Sequence, residues 1–152
     1  MYVFLFHWDL HVRNPLHFAP ARTKLGAERP VLWQEEKAIK GGGLMEYELI
    51  GKNLVIHLPE ELDHHSCGTL KQDTEECLRS YDIRRIVLDF SAVNFMDSTG
   101  IGVILGRYKR MQEAGGDVAL YGAGRRIRRL LRMSGIEKLA AVCEEEADAL
   151  KR

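Results

Sequence analysis

From Met45 onward, short apolar runs alternate with stretches whose apolar residues recur every three to four positions. "EYELI" (46–50) and "NLVIHLP" (53–59) have the length and content of strands, and Gly51-Lys52 between them predicts a hairpin. "DHHSCGTLKQDTEECLRSY" (63–81) reads as a helix with Asp63 as N-cap. Its inner face is Cys67, Leu70, Thr74, Cys77, Leu78 and Tyr81. "RRIVLDFS" (84–91) is a nearly continuous apolar strand of the kind buried on both faces. A second helix opens within "NFMDSTGIGVILGRYKRM" (94–111), with Ile101, Ile104, Leu105, Tyr108 and Met111 facing the sheet. "GGDVALYGA" (115–123) is a turn and a strand. "RRIRRLLRMSG" (125–135) is a third helix with Ile127, Leu130 and Leu131 as its core stripe and Gly135 at its end. "KLAAVC" (138–143) predicts a short edge strand and "EEEADALKR" (144–152) the start of a last helix. The fold class is α/β: a single domain over 45–152, with a mixed, partly parallel sheet flanked by helices.

Before "KGGGLM" (40–45) the periodicity stops. Residues 1–44 hold both tryptophans, three of the six histidines and three of the four prolines. They read as an irregular N-terminal extension, expected to be poorly ordered and dispensable. "GGGLM" also suits a translation start at Met45, since consecutive glycine codons just upstream of a methionine can encode a purine-rich ribosome-binding sequence.

Charge narrows the partners. Lys plus Arg number 22 and Asp plus Glu 22, so no global field draws the chain to nucleic acid or to a membrane. Three cysteines, Cys67, Cys77 and Cys143, form no CxxC pair, which disfavours a disulfide framework or a zinc site and suits the reducing cytoplasm. The apolar start "MYVFLFHW" is interrupted at His7 and lacks the basic region and cleavage site of a signal peptide.

Candidate chemistry concentrates at Asp97, Ser98, Thr99 and Gly100, where a loop becomes a helix. A helix start has free N–H donors and a partial positive charge, so Ser98 or Thr99 could serve as an N-cap, or the turn could hold a phosphate. A serine nucleophile lacks its setting: the first glycine of GxSxG is missing, and no histidine follows Ser98. "DSTG" is not the order of an aspartic protease, and no second copy supplies a partner carboxylate. Gly100, Gly102 and Gly106 have one residue too many for a dinucleotide fingerprint, and no acid follows at the ribose position. A nucleotide-binding enzyme built on this turn remains the alternative of a different class. Gly102 and Gly106 inside a helix cost about 1 kcal/mol each against alanine. Close approach of another backbone, from the domain or from a partner, would offset that cost.

"ELDHHSCGTLKQ" (61–72), "RRIVLDFSAVNFMDSTGIGVILGRYKRMQEAGG" (84–116) and "MSGI" (133–136) strongly resemble the anti-sigma factor antagonists of the STAS domain family, and "LDHH" and "GVILGRYK" point to its sporulation branch, which controls sigma F. The resemblance implies a small α/β domain without catalytic activity or cofactor. Its unphosphorylated form would bind an anti-sigma factor that is also a serine kinase, releasing the sigma factor. That kinase would phosphorylate Ser98 and end the binding, and a dedicated serine phosphatase would restore it. Asp63 matches a family acid at the partner contact, beside Asp97, Ser98, Thr99, Gly100, Gly102 and Gly106. Thr99 departs from the sporulation pattern, which has a second serine, and the arginine-rich 125–132 segment departs as well. An antagonist of another sigma factor is the nearest alternative.

Two further features have plain readings. Arg125, Arg126, Arg128, Arg129 and Arg132 make one basic helix side without interleaved aromatics, so it reads as a solvated or partner-facing surface rather than a nucleic-acid site. Asp63, His64 and His65 have no second ligand cluster at metal spacing, and they read as helix-start residues.

Overall fold

The computed structural model describes residues 36–40 and 45–151. Strand β1 (Glu36–Lys40) pairs antiparallel with β2 (Glu46–Ile50), and β2 turns at Gly51, φ 61°, into β3 (Asn53–His57). Two-residue β4 (Glu61–Leu62) leads into α1 (His64–Ser80), and β5 (Arg85–Asp89) returns parallel to β3. Two-residue β6 (Phe95–Met96) leads into α2 (Ser98–Glu113), then β7 (Asp117–Tyr121), α3 (Arg125–Met133), a 3-10 turn (Ile136–Lys138), β8 (Ala141–Cys143) and α4 (Glu146–Leu150). The main sheet has the order β1-β2-β3-β5-β7-β8, parallel from β3 to β8. Gly135 follows α3 with φ 78°, the left-handed geometry that ends a helix.

The pattern of apolar residues located these helices and main-sheet strands, with one exception. Residues 36–40, assigned to the irregular extension, form β1, with register from Glu36↔Ile50 to Lys40↔Glu46. EKAIK has only Ala38 and Ile39 as apolar residues, side by side and so without alternation, and an edge strand is held through main-chain groups that the sequence pattern does not report. Residues 1–35 and 41–44, the rest of the expected extension, lie outside the described residues.

The sheet has two unequal faces. The larger core gathers Leu54, Ile56, Ile86, Leu88 and Leu120 under Cys67 and Leu70 of α1, Ile104 and Met111 of α2, and Ile127 and Leu131 of α3. The smaller joins Ile50, Val55, Val87 and Ala119 to Ala149 of α4. Val87 and its neighbours Ile86 and Leu88 are fully buried, as expected for a strand covered on both sides. A chain beginning at Met45 is expected to keep this core and its Tm to within a few degrees, since the side chains named in both core clusters lie at or after Met45. Thermal melts of the truncated and full chains check this. A drop beyond about 8 °C, more than roughly 1 kcal/mol, would show that the extension supports the fold.

Two buried arginines were not legible as core. Arg85 donates from Nε and Nη2 to the two carboxylate oxygens of Asp117, at 2.7 and 2.6 Å, and from Nη1 to the Ala149 carbonyl at 2.8 Å, which ties α4 to the sheet. Arg107 is 6% exposed at its side chain and pairs with Glu75 of α1 at 2.7 Å. The expected inner face of α2 is corrected accordingly: Gly100, Ile104, Arg107 and Met111 are buried, whereas Ile101, Leu105 and Tyr108 are half-buried at its margins.

On the smaller face, His57 Nδ1 lies 2.8 Å from Asp89 Oδ2 and His57 Nε2 lies 3.7 Å from Glu48. The hydrogen bond to Asp89 raises the His57 pKa, against burial. Burial alone would raise Asp89, but hydrogen bonds from His57, Ser91 and Tyr121 outweigh it and hold the carboxyl at about 2. The imidazolium form is therefore favoured in the fold. Its contribution is complete below the ordinary imidazole range and is lost as pH rises through the raised value. The Asp89 side of the same pair is lost only as pH falls below the ordinary carboxylate range toward 2. Melts from about pH 5 to about pH 9 should show Tm declining across the imidazole range, and His57→Gln should flatten that decline. An unchanged profile in His57→Gln would refute the assignment.

Candidate functional site

Short parallel strands set the site. Glu61 pairs with Phe95 and Leu62 with Met96, so the next residues, Asp63 and Asp97, leave neighbouring strands side by side. Strands so paired are about 4.8 Å apart. Each aspartate is the N-cap of its helix, with matching backbone angles of φ −102°, ψ −174° and φ −102°, ψ −171°. Two helix starts therefore open together at one end of the sheet. Two-residue strands carry no period, which is why the sequence did not announce this arrangement.

The caps differ in detail. Asp63 Oδ1 accepts the Ser66 N–H at 2.9 Å while the Ser66 hydroxyl accepts the Asp63 N–H at 2.9 Å, a reciprocal capping box. The Ser66 N–H, and the Ser66 hydroxyl at 3.0 Å from the same Oδ1, hold the Asp63 carboxyl below the usual carboxylate range. Asp97 Oδ1 accepts from the Thr99 N–H at 2.7 Å and the Gly100 N–H at 3.2 Å. The expectation that Ser98 or Thr99 caps α2 is thus corrected. A carboxylate one residue earlier takes both donors because its side chain is the right length to reach the second and third helical N–H groups. Beneath the caps lies the buried Cys67, whose thiol is pushed up to about 11 by burial and then by the Asp97 and Asp63 charges.

Relieved of capping, Ser98 is exposed as the first residue of α2 and makes no side-chain hydrogen bond among the described residues. Gly102 and Gly106 follow it along the helix at intervals of four, both exposed, and a Cβ built on either meets nothing within 4 Å. The domain therefore offers no internal close approach to offset these glycines. Gly100 differs: it is buried, and a Cβ there would collide with the Met96 side chain and press on Leu62. Its role is packing under the two strands, not exposure on the helix face. Phe95, which sequence reasoning passed over, is 41% exposed three residues before Ser98. The sequence held no signal for this, since Phe95 and Met96 are both apolar and a two-residue strand shows no alternation. His64 and His65 are exposed at the start of α1. Cys67 and Cys77 are core, as their helical spacing indicated. No helix among the described residues is long and apolar enough to cross a membrane.

The profile of the STAS domain matches residues 45–149. The chain belongs to the STAS domain family. This STAS domain is 38% identical over 97 residues to the anti-sigma F factor antagonist of Paenibacillus polymyxa, covering 64% of this chain and 83% of that one. It is 29% identical over 96 residues to the anti-sigma-B factor antagonist of Listeria monocytogenes, covering 61% and 81% respectively. Among solved structures it is similar to the unphosphorylated form of the anti-sigma factor antagonist SpoIIAA, with a TM-score of 0.62 and 26% identity over 68% of this chain and 91% of that one.

Proposed function

We propose that this STAS domain is an anti-sigma factor antagonist switched by phosphorylation of Ser98. In the unphosphorylated state it binds an anti-sigma factor serine kinase and frees the sigma factor. The kinase transfers phosphate to Ser98 and releases the domain, and a serine phosphatase reverses the modification. The domain itself is a binding module rather than an enzyme, acting in the cytoplasm. The observation that carries this reading is the exposed Ser98 hydroxyl, freed by the Asp97 cap, at the head of the Ser98–Gly102–Gly106 side of α2. An acceptor must be reachable, and a flat glycine side lets a partner backbone come close. Asp63 and Thr99, half-buried at the same helix starts, border that surface.

The sporulation sigma F is the sigma factor we assign, supported by 38% identity to an anti-sigma F factor antagonist against 29% to an anti-sigma-B one. Incubation with labelled ATP tests the reading. No label should enter the domain alone, and label should reach Ser98 when the anti-sigma F kinase is added. ATP hydrolysis or autophosphorylation by the isolated domain would favour the nucleotide-binding alternative, and transfer only from a different anti-sigma kinase would reassign the sigma factor.

Gly102→Leu and Gly106→Leu separate docking from folding. Leucine is the better helix former by somewhat under 1 kcal/mol, both positions are exposed, and no atom of the domain lies within 4 Å of a Cβ at either. Tm should therefore hold or rise while affinity for the kinase falls about tenfold or more, about 1.4 kcal/mol. Calorimetry and binding measured on the same preparations check both halves. Normal binding by both variants would remove the glycines from the docking surface.

A further inference from the structure

Helix α3 carries charges that its own folding does not call for. Its nine residues include five arginines, and its buried side is Ile127 and Leu131. Arg128 pairs with Glu144 and Arg132 with Glu137. Arg125, Arg126 and Arg129 are exposed and make no ion pair among the described residues. Arg125 and Arg126 occupy the first turn, where the helix already presents partial positive charge. That turn has no acidic residue, and its N-cap, Gly124, supplies no side-chain hydrogen bond. Two cations there oppose the macrodipole, so the arrangement weakens the helix start.

Topology gives these arginines a place. β5 and β7 are parallel neighbours with Asp89 opposite Tyr121, and α2 and α3 start beyond those two strand ends. α1 starts beyond the corresponding end of β3, through β4. The first turn of α3 therefore opens at the same end of the domain as Ser98 and its neighbouring caps. Net charge is zero over the whole chain, so this positive turn is a local feature and not part of a general basic surface.

We infer that Arg125 and Arg126, with Arg129 one turn behind, extend the Ser98 docking surface and select a protein partner that presents an acidic segment beside α3. This rests on the reading of the Ser98 face as a docking surface. A protein partner fits better than nucleic acid, because duplex binding draws on a broad set of phosphate contacts, and three arginines on a single helix without aromatic neighbours supply few. Charges at the rim of such a contact act mainly by steering the encounter.

The test is the double reversal Arg125→Glu/Arg126→Glu, measured against the anti-sigma F kinase in salt from about 50 to about 300 mM. Wild type should bind less tightly as salt rises. The variant should bind about tenfold more weakly at the low end, chiefly through slower association, with little remaining salt dependence. Its Tm should hold or rise, because acids suit a helix start. Arg125→Gln/Arg126→Gln should fall between, and it carries the test should the reversal misfold. Wild-type affinity and salt response in both variants would overturn the inference while leaving the Ser98 reading intact. Duplex DNA binding by wild type that the variants lose, with kinase binding unchanged, would overturn it in favour of nucleic acid. A wild-type domain that binds no anti-sigma kinase would instead remove the reading beneath it.

Discussion

Ser98→Ala is expected to bind the anti-sigma factor kinase as tightly as the unmodified domain and to stay bound in the presence of ATP. The methyl group keeps the small neutral surface at the start of α2, and the cap survives because Asp97, not Ser98, supplies it. Phosphorylation of the wild-type residue adds roughly 1.5 to 2 negative charges at neutral pH. The Thr99 and Gly100 N–H groups, donors of this helix start, already serve Asp97. In the free domain the phosphate stands in water at the helix start, so the fold should survive. In a complex it must lose that water beside the Asp97 carboxylate. An uncompensated buried charge costs about 3 kcal/mol or more, over a hundredfold in affinity. Ser98→Asp should bind poorly, although one charge imitates two incompletely. Thr99→Ala should behave as wild type, because the cap uses the Thr99 backbone N–H and not its side chain. Mass spectrometry of the kinase reaction, paired with affinities for each variant, checks all four statements. Phosphate on Thr99 with Ser98 unmodified, or full-strength kinase binding by the phosphorylated domain, would sink the mechanism.

The largest stability loss is expected from Glu75→Ala. That change leaves the Arg107 guanidinium, 6% exposed, without its carboxylate at 2.7 Å. Glu75 also holds Arg110 at 3.4 Å, so one acid anchors two positions of α2 against α1. Removing one partner of a buried pair costs about 3 to 5 kcal/mol; because Glu75 is 31% exposed and water can reach the gap, about 2 kcal/mol is expected here. For a domain of this size that is a fall in Tm of about 8 °C or more. Arg107→Leu should cost much less, within about 1 kcal/mol, because position 107 lies in the buried stripe with Ile104 and Met111 and an apolar side chain can fill it. Melts of the two variants test the asymmetry directly. Equal losses would mean that the pair contributes through packing alone. The same acid should make the fold acid-sensitive. Burial would raise the Glu75 pKa, but the Arg107 and Arg110 bonds and charges lower it overall, so its contribution is present above the usual carboxylate range and lost as pH falls below that range through the lowered value.

Periodicity located α1, α2 and α3 and the main-sheet strands from β2 to β8 because each must bury one side, or both, and burial writes a period of 3.6 or 2 into the order of residues. The N-cap role of Asp63 was legible for a related reason: an aspartate directly before an amphipathic run has one local task. Motif resemblance singled out Ser98, but local chemistry could not decide whether Ser98 or its neighbour capped α2, since hydroxyl and carboxylate compete for the same N–H groups. Only the folded backbone gave that task to Asp97 and left the serine exposed. The pairing of β4 with β6, the inward turn of Gly100, and the burial of Arg85 and Arg107 were likewise settled by tertiary contacts. Each depends on a partner distant in sequence, Phe95 for Glu61, Asp117 for Arg85, Glu75 for Arg107, and a pattern read along one segment contains no term for what another segment will bring beside it.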